Sequence, residues 1–357
     1  METIFGRLSE LQESSSRNTL RDSYFDIEYD EMTNVLILVE GSRVSAILLR
    51  ETLERYKGTC RTVVLNCKLP VDCTRLFAEF ERLTTVSAGS HFDSSEVESM
   101  AEMFCRCENL KLVDSSWWRT PNVKSLYGIF AYCSKLVDVD VAMWDTSNVV
   151  NMSSAFRECS SLHTIDVSAW DTSSVQNMSH MFEGCINLRQ LSVGNWCLSQ
   201  VMYTDAMFMG CAKLQTLNVS TWDMSFVRSA RSMFAGCCDL RRLDVSNWDV
   251  SNIKDMSMMF DGCEQLRNLG VSRWSMQEFK ITSNMFRGCK HLGSLKLSNW
   301  NPNNRNVYGM QEQRPKKRKV EEEEYELSTE DELRMVFGNQ DEESKKRRRR
   351  LLIFPKI

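Results

Sequence analysis

Apolar residues in this chain recur on one fixed step. Trp118, Trp144, Trp170, Trp196, Trp222, Trp248, Trp274 and Trp300 stand 26 residues apart. Phe104 through Phe286, Cys107 through Cys289 and Leu110 through Leu292 keep the same step over eight units. A fixed period of roughly 20–50 residues is the mark of a solenoid, in which each unit buries its apolar face against its neighbours.

Within one unit, residues 174–196, Val175, Met178, Met181, Phe182 and Cys185 fall at helical spacing and predict a short helix. The column ahead of the first Met holds Ser99, Ser125, Asn151, Asn177, Ser229 and Asp255, which are good N-cap residues. At Tyr203 and Ile281 that column breaks, and Thr204 and Thr282 stand one place later. Gly184, Gly210, Gly236, Gly262 and Gly288 lie where a left-handed C-terminal residue is wanted. Leu188, Leu191 and Val193 then predict a short strand, followed by a Ser-x-Trp-Asp turn such as 168–171. The expected fold is an α/β repeat solenoid, leucine-rich-repeat-like, of eight units each with a short helix and a short strand. Strands about 4.8 Å apart would make a sheet roughly 35–40 Å across.

Stretches such as LHTIDVSAWDTSSVQNMSHMFEGC (162–185) and LRRLDVSNWDVSNIKDMSMMFDGC (240–263) carry the motif MFxGCxxLxxLDVSxWD. It resembles the BspA-type leucine-rich repeats, also known as the mycoplasma lipoprotein repeat family. The resemblance covers the repeated part of the chain. It implies a repeat solenoid without catalytic residues, with members that are often bacterial surface proteins acting in adhesion and others that occur in protists and large viruses.

The flanks differ from the array. Residues 1–22 form an N-terminal arm, in which Ile4, Phe5, Leu8 and Leu11 make one turn-spaced apolar face. Residues 23–90 read as an α/β cap: strands over 33–41 and 61–67, a helix over 44–56, and one degenerate repeat over 68–90 marked by Phe77, Phe80, Leu83 and Val86. The solenoid proper spans 91–308. Residues 309–357 are charge blocks with few apolar positions, which predicts a disordered tail.

Composition adds boundaries. At 357 residues, 42% hydrophobic and a formal charge of −4, the chain is not a generally basic nucleic-acid or membrane binder. No apolar leader follows a basic start, and the final LLIFPKI is too short to span a bilayer, so no membrane partner is expected. Of 14 cysteines, eight occupy one interior column without paired CxxC spacing. They read as reduced core residues in an intracellular protein, with disulfides or a metal as the rival reading.

The four histidines, His91, His163, His180 and His291, fall in different columns and do not converge, so no enzyme and no cofactor is expected. Beside the predicted strands lie Asp114, Asp140, Asp166 and Asp244, with Arg189, Arg241, Arg242 and Arg267 close by. Together they form a candidate face for a protein partner. The rival readings are an Asp row holding a cation, or Asp residues bonded within their own turns.

The tail carries an address. PKKRKV (Pro315, Lys316, Lys317, Arg318, Lys319 and Val320) looks identical to the core of the nuclear import signal of simian virus large T antigen. A second basic block comprises Lys345, Lys346, Arg347, Arg348, Arg349 and Arg350. The expectation is a non-catalytic protein-interaction scaffold in the nucleus, bound by an import receptor through its tail, with the cytoplasm as the alternative location. Nucleic-acid binding through the tail and a surface adhesin are the rival functions.

Overall fold

The computed structural model describes residues 26–39, 46–275, 280–293 and 295. Strands β1 (Asp26–Asp30) and β2 (Val35–Val39) form an antiparallel hairpin. The chain then passes through α1 (Ala46–Leu53) and a 3₁₀ turn (Glu54–Tyr56) to β3 (Thr62–Asn66) and β4 (Thr85–Ala88). Strands β5 (Leu112–Val113) and β6 (Asp138–Val139) follow, and every pairing from β2 to β6 is parallel. Strands β7 (Arg242–Leu243) and β8 (Asn268–Leu269) pair in parallel further on, and single-residue bridges join 164 to 190 and 216 to 242. From Leu112 on the sheet keeps a step of 26 residues but runs in separate pieces, and no bridge joins 138 to 164 or 190 to 216 among the described residues. Its antiparallel first strand was not expected from DIEYD, because Asp and Glu disfavour strands.

A second ladder runs through Asp72, Ser99, Ser125, Asn151, Asn177, Tyr203, Ser229, Asp255 and Ile281. It counts nine turns, so the stretch 68–90 forms one turn more than the eight regular units. The first step is 27 residues rather than 26, and Phe77 still stacks on Phe104 with ring centroids 5.5 Å apart.

The expected helix in each unit is absent among the described residues, where α1 is the only α-helix. The amides explain why. Met178, His180, Phe182 and Gly184 donate their N–H groups to the carbonyls of Tyr203, Asp205, Met207 and Met209 in the next turn. The amides between them close local turns instead: Met181 to Met178, Glu183 to His180 and Cys185 to Phe182. An α-helix would need every amide for its own i−4 carbonyl. Apolar spacings of three and four are thus met by successive tight turns, and the N-cap column is the second ladder itself.

This backbone needs two left-handed residues per turn, such as His180 (φ 61°) and Gly184 (φ 73°), or Ser232 (φ 55°) and Gly236 (φ 74°). The glycine column is left-handed as expected, but it serves these turns rather than ending helices.

The interior is a set of stacked columns. Phe rings from Phe104 to Phe286 repeat at 5.5–5.8 Å. That exceeds the strand spacing of about 4.8 Å, so the rings slide into offset stacks rather than face-on sandwiches. Trp170, Trp196, Trp222, Trp248 and Trp274 donate indole N–H bonds to Val141, Val167, Val193, Val219 and Val245 carbonyls. The indole nitrogens of Trp118 and Trp144 find no acceptor among the described residues.

Each thiol of the Cys column also donates to a carbonyl of the preceding turn, as Cys185 does to Phe156 at 3.1 Å. Burial pushes these thiols up, Cys289 to about 12. All 14 cysteines are free thiols, and Cys197 is exposed.

Two outcomes follow from this packing. Gly236→Ala would set a Cβ 3.4 Å from the Gly210 backbone at a left-handed φ. Urea denaturation should find it less stable by about 1–2 kcal/mol. Gly58→Ala, whose Cβ would meet nothing within 4 Å, should cost far less. In native buffer a thiol reagent should modify Cys197 fast and the buried column only on unfolding. Fast modification of Cys185 or Cys211 would contradict the packing.

Candidate interaction face

Along the sheet ladder, side chains alternate in and out. In the stretch 241–245, Leu243 and Val245 are buried while Arg241, Arg242 and Asp244 are exposed. The step of 26 repeats this on every turn, so outward residues align in three parallel columns.

One column holds Lys111, Val137, His163, Arg189, Gln215, Arg241 and Arg267. The middle column holds Leu112, Asp138, Thr164, Gln190, Thr216, Arg242 and Asn268. The third holds Asp114, Asp140, Asp166, Ser192, Asn218, Asp244 and Gly270. All eight residues of the expected face lie in these columns.

The Asp column is tied to its own turns. Asp166 Oδ1 accepts from the Ser168 amide at 3.0 Å and its hydroxyl at 2.6 Å. Asp244 does the same with Ser246 at 3.1 and 2.7 Å. Asp114 accepts from the Ser116 hydroxyl at 2.7 Å, and Asp140 from the Ala142 amide at 3.3 Å. These bonds, hydroxyl first and amide second, hold the Asp166 and Asp244 carboxyls below their ordinary range. Among the described residues no group of three His, Cys, Asp or Glu could hold a metal ion.

Where the Asp-x-Ser turn is replaced by Ser192 and Gly194, the face opens into a recess of about 440 Å3 lined by Ser168, Gln190, Thr216 and Asn218. A second recess, of about 680 Å3, lies between Gly89, Phe92, Asp93, Trp117 and Arg119. At its edge Trp117 is 75% exposed, and Met143 in the same column is 76% exposed. Neither was foreseen.

The charges of the face are unpaired with one another. Other faces carry cross-turn pairs, such as Lys124 with Glu98 at 2.8 Å, Lys290 with Glu264 at 2.8 Å and Arg157 with Glu183 at 3.1 Å. Among the described residues, Arg189, Arg241, Arg242 and Arg267 form no ion pair. The face is also bipolar along the solenoid axis. Turns from 111 to 166 bring Asp114, Asp138, Asp140 and Asp166 against Lys111, and turns from 189 to 270 bring the four Arg against Asp244 alone. Asp138 was missed by sequence reasoning, although stepping back by 26 from Arg242 reaches it. Of the histidines, His91, His163 and His291 are exposed, and His180 pairs with Glu183 at 2.6 Å. Both basic blocks of the tail, 315–320 and 345–350, lie outside the described residues.

The family model described as Mycoplasma protein of unknown function, DUF285, matches residues 71–190, 125–241 and 206–325. No curated protein matches the chain. Solved structures that are similar include a leucine-rich cell-surface protein of Faecalibacterium prausnitzii, at 14% identity over 79% of this chain and 95% of that one, TM-score 0.30. A leucine-rich-repeat protein of Bacteroides ovatus matches at 15% identity over 77% and 81%, TM-score 0.33. An internalin of Listeria monocytogenes matches at 14% identity over 70% and 68%, TM-score 0.30. These likenesses are of repeat type, and no residue of the face is argued from them.

The family model corrects the expected address. The family is described from Mycoplasma, a bacterium without a nucleus. The nuclear or cytoplasmic location expected from PKKRKV does not stand. Among the described residues no helix is long and apolar enough to cross a membrane.

The Asp turns set an acid limit. A carboxyl held below its ordinary value adds stability above the unfolded value, about pH 4, and loses it as pH falls through the folded value. The Tm should therefore drop between about pH 5 and pH 2, and drop less steeply in Asp166→Ala/Asp244→Ala. Parallel pH profiles would contradict a role for these turns.

Proposed function

The chain belongs to the DUF285 family, and from that footing we propose that it is a non-catalytic protein-interaction module working at the cell surface in the manner of an adhesin. The observation that carries this reading is the strand face, with its charge columns that bond to no opposite charge among the described residues. Interfaces favour Arg, and a charge already satisfied on its own surface has less to offer a partner. Each turn rests on the next, so the columns are held at fixed spacing and little ordering is lost on binding.

Among the described residues a catalytic reading lacks a centre. His163 stands on the strand face with no carboxylate or thiol bonded to it, and His180 is tied to Glu183 on another part of the turn. The surface location rests on the repeat family, whose resemblance implies bacterial surface proteins.

Two measurements test the reading. A membrane-impermeant biotin reagent applied to intact cells that express the chain should label it, and labelling only after lysis would sink the surface location. A photo-crosslinking residue at Thr216 on the strand face should yield adducts with a cell-surface polypeptide. One at Lys254, outside the face, should not. Arg241→Glu/Arg242→Glu should cut the Thr216 adduct at least about tenfold, the equivalent of about 1.4 kcal/mol. Equal adducts from both positions would contradict the assignment of the face.

A further inference from the structure

The two halves of the strand face are electrostatic opposites of equal weight. Turns 111–166 set Lys111 against Asp114, Asp138, Asp140 and Asp166, a net charge of −3 with His163 neutral. Turns 189–270 set Arg189, Arg241, Arg242 and Arg267 against Asp244, a net charge of +3. Between the two charged ends, Gln190, Ser192, Gln215, Thr216 and Asn218 are exposed, polar and uncharged.

A surface of this kind is its own complement. Take a two-fold axis that lies in the face, parallel to the strands, between the turns 189–192 and 215–218. It lays one copy end for end over another. Gln190 then faces Thr216, and Ser192 faces Asn218. The turns of Asp138, Asp140 and Asp166 come over those of Arg241, Arg242 and Arg267. Each contact is made twice, because residue i meets j and j meets i across such an axis. The columns superpose on themselves, so Arg267 lies one strand position from Asp138, and Arg242 two from Asp166. The one like-charged pair set directly opposite in this register is Asp166 with Asp244. Both carboxylates are drawn into their own turns, by the Ser168 and Ser246 hydroxyls at 2.6 and 2.7 Å.

We propose that the strand face binds a second copy of this chain, face to face and antiparallel, as a closed two-fold pair. The inference rests on the strand face being the binding surface, and it names the polypeptide partner of that surface as the chain itself. The contact spans six turns, roughly 29 Å by roughly 13 Å, or about 400 Å2 per copy. That is about half of what each partner buries in a complex of standard size. A single pair is therefore weak and salt-sensitive, and it gains hold where many copies face one another. A head-to-tail contact differs in kind: it leaves a charged half of each copy open to a third.

Sedimentation velocity of the full chain tests this. At about 20 mM salt the chain should pass from monomer to dimer between about 1 and about 200 µM, and at about 500 mM salt it should stay monomeric. Arg241→Glu/Arg242→Glu and Asp138→Arg/Asp140→Arg should each weaken the dimer at least about tenfold when alone, since like charges then meet at both ends. Mixed in equal amounts they should dimerise as the native chain does, because every reversed group meets its opposite. The regained dimer also shows that both variants fold. The proposal is overturned if the native chain stays monomeric throughout at low salt, if it grows past the dimer, or if either variant alone dimerises as tightly as the native chain. It is likewise overturned if a mixture of variants with native indole emission regains nothing. A monomeric chain whose Thr216 probe still captures a different surface polypeptide would remove the second copy and leave the reading of the face standing.

Discussion

Everything in this molecule depends on one bonding choice. In each turn, alternate amides of the stretch around Met178–Gly184 donate to the next turn rather than to their own segment. That choice fixes the distance between turns and forces two left-handed residues into each. It also aligns like residues: Phe over Phe, Trp over Trp, each Cys thiol under a Phe carbonyl. A core built this way has no centre. Its apolar contacts are repeated locally, and any one turn is stable only because its neighbours are present.

The same constraint shapes the surface. Side chains that point outward are placed in columns as regular as those inside, but they are free to differ. The interior repeats Phe, Cys and Leu without a break, whereas the outward columns change from Asp-rich to Arg-rich along the axis. A rigid lattice with variable outward residues is a general way to build an extended binding surface, and here the variation is electrostatic. The Asp turns keep their carboxylates charged and oriented, and the Arg side chains opposite remain available.

Much of this was legible in the residues. The step of 26 in Trp, Phe, Cys and Leu identified the solenoid and its core, because a buried column tolerates no substitution out of step. The strand face was legible for the same reason, and Asp138 escaped only because its column was not followed back from Arg242. The helix was misread for a physical cause: an i, i+3, i+4 apolar pattern is satisfied equally by consecutive three-residue turns. The glycine column hinted at the left-handed position, but its companions His180, Ala206, Ser232, Met258 and Asn284 are not glycine and carried no such signal. PKKRKV was read as an address from its letters alone, and letters do not say which compartment a chain enters.

Each turn is held by its neighbours through a 26-residue register. Excision of one whole turn, residues 190–215, would join Arg189 to Thr216 and bring the Trp170 turn onto the Trp222 turn. The claim predicts a soluble protein that unfolds cooperatively, with its tryptophan emission still that of buried indoles and its Tm lower by only a few degrees, as loss of one interface among many requires. An aggregated or unfolded product would contradict it, and would show that the array is held together by contacts that the nearest-neighbour stack does not contain.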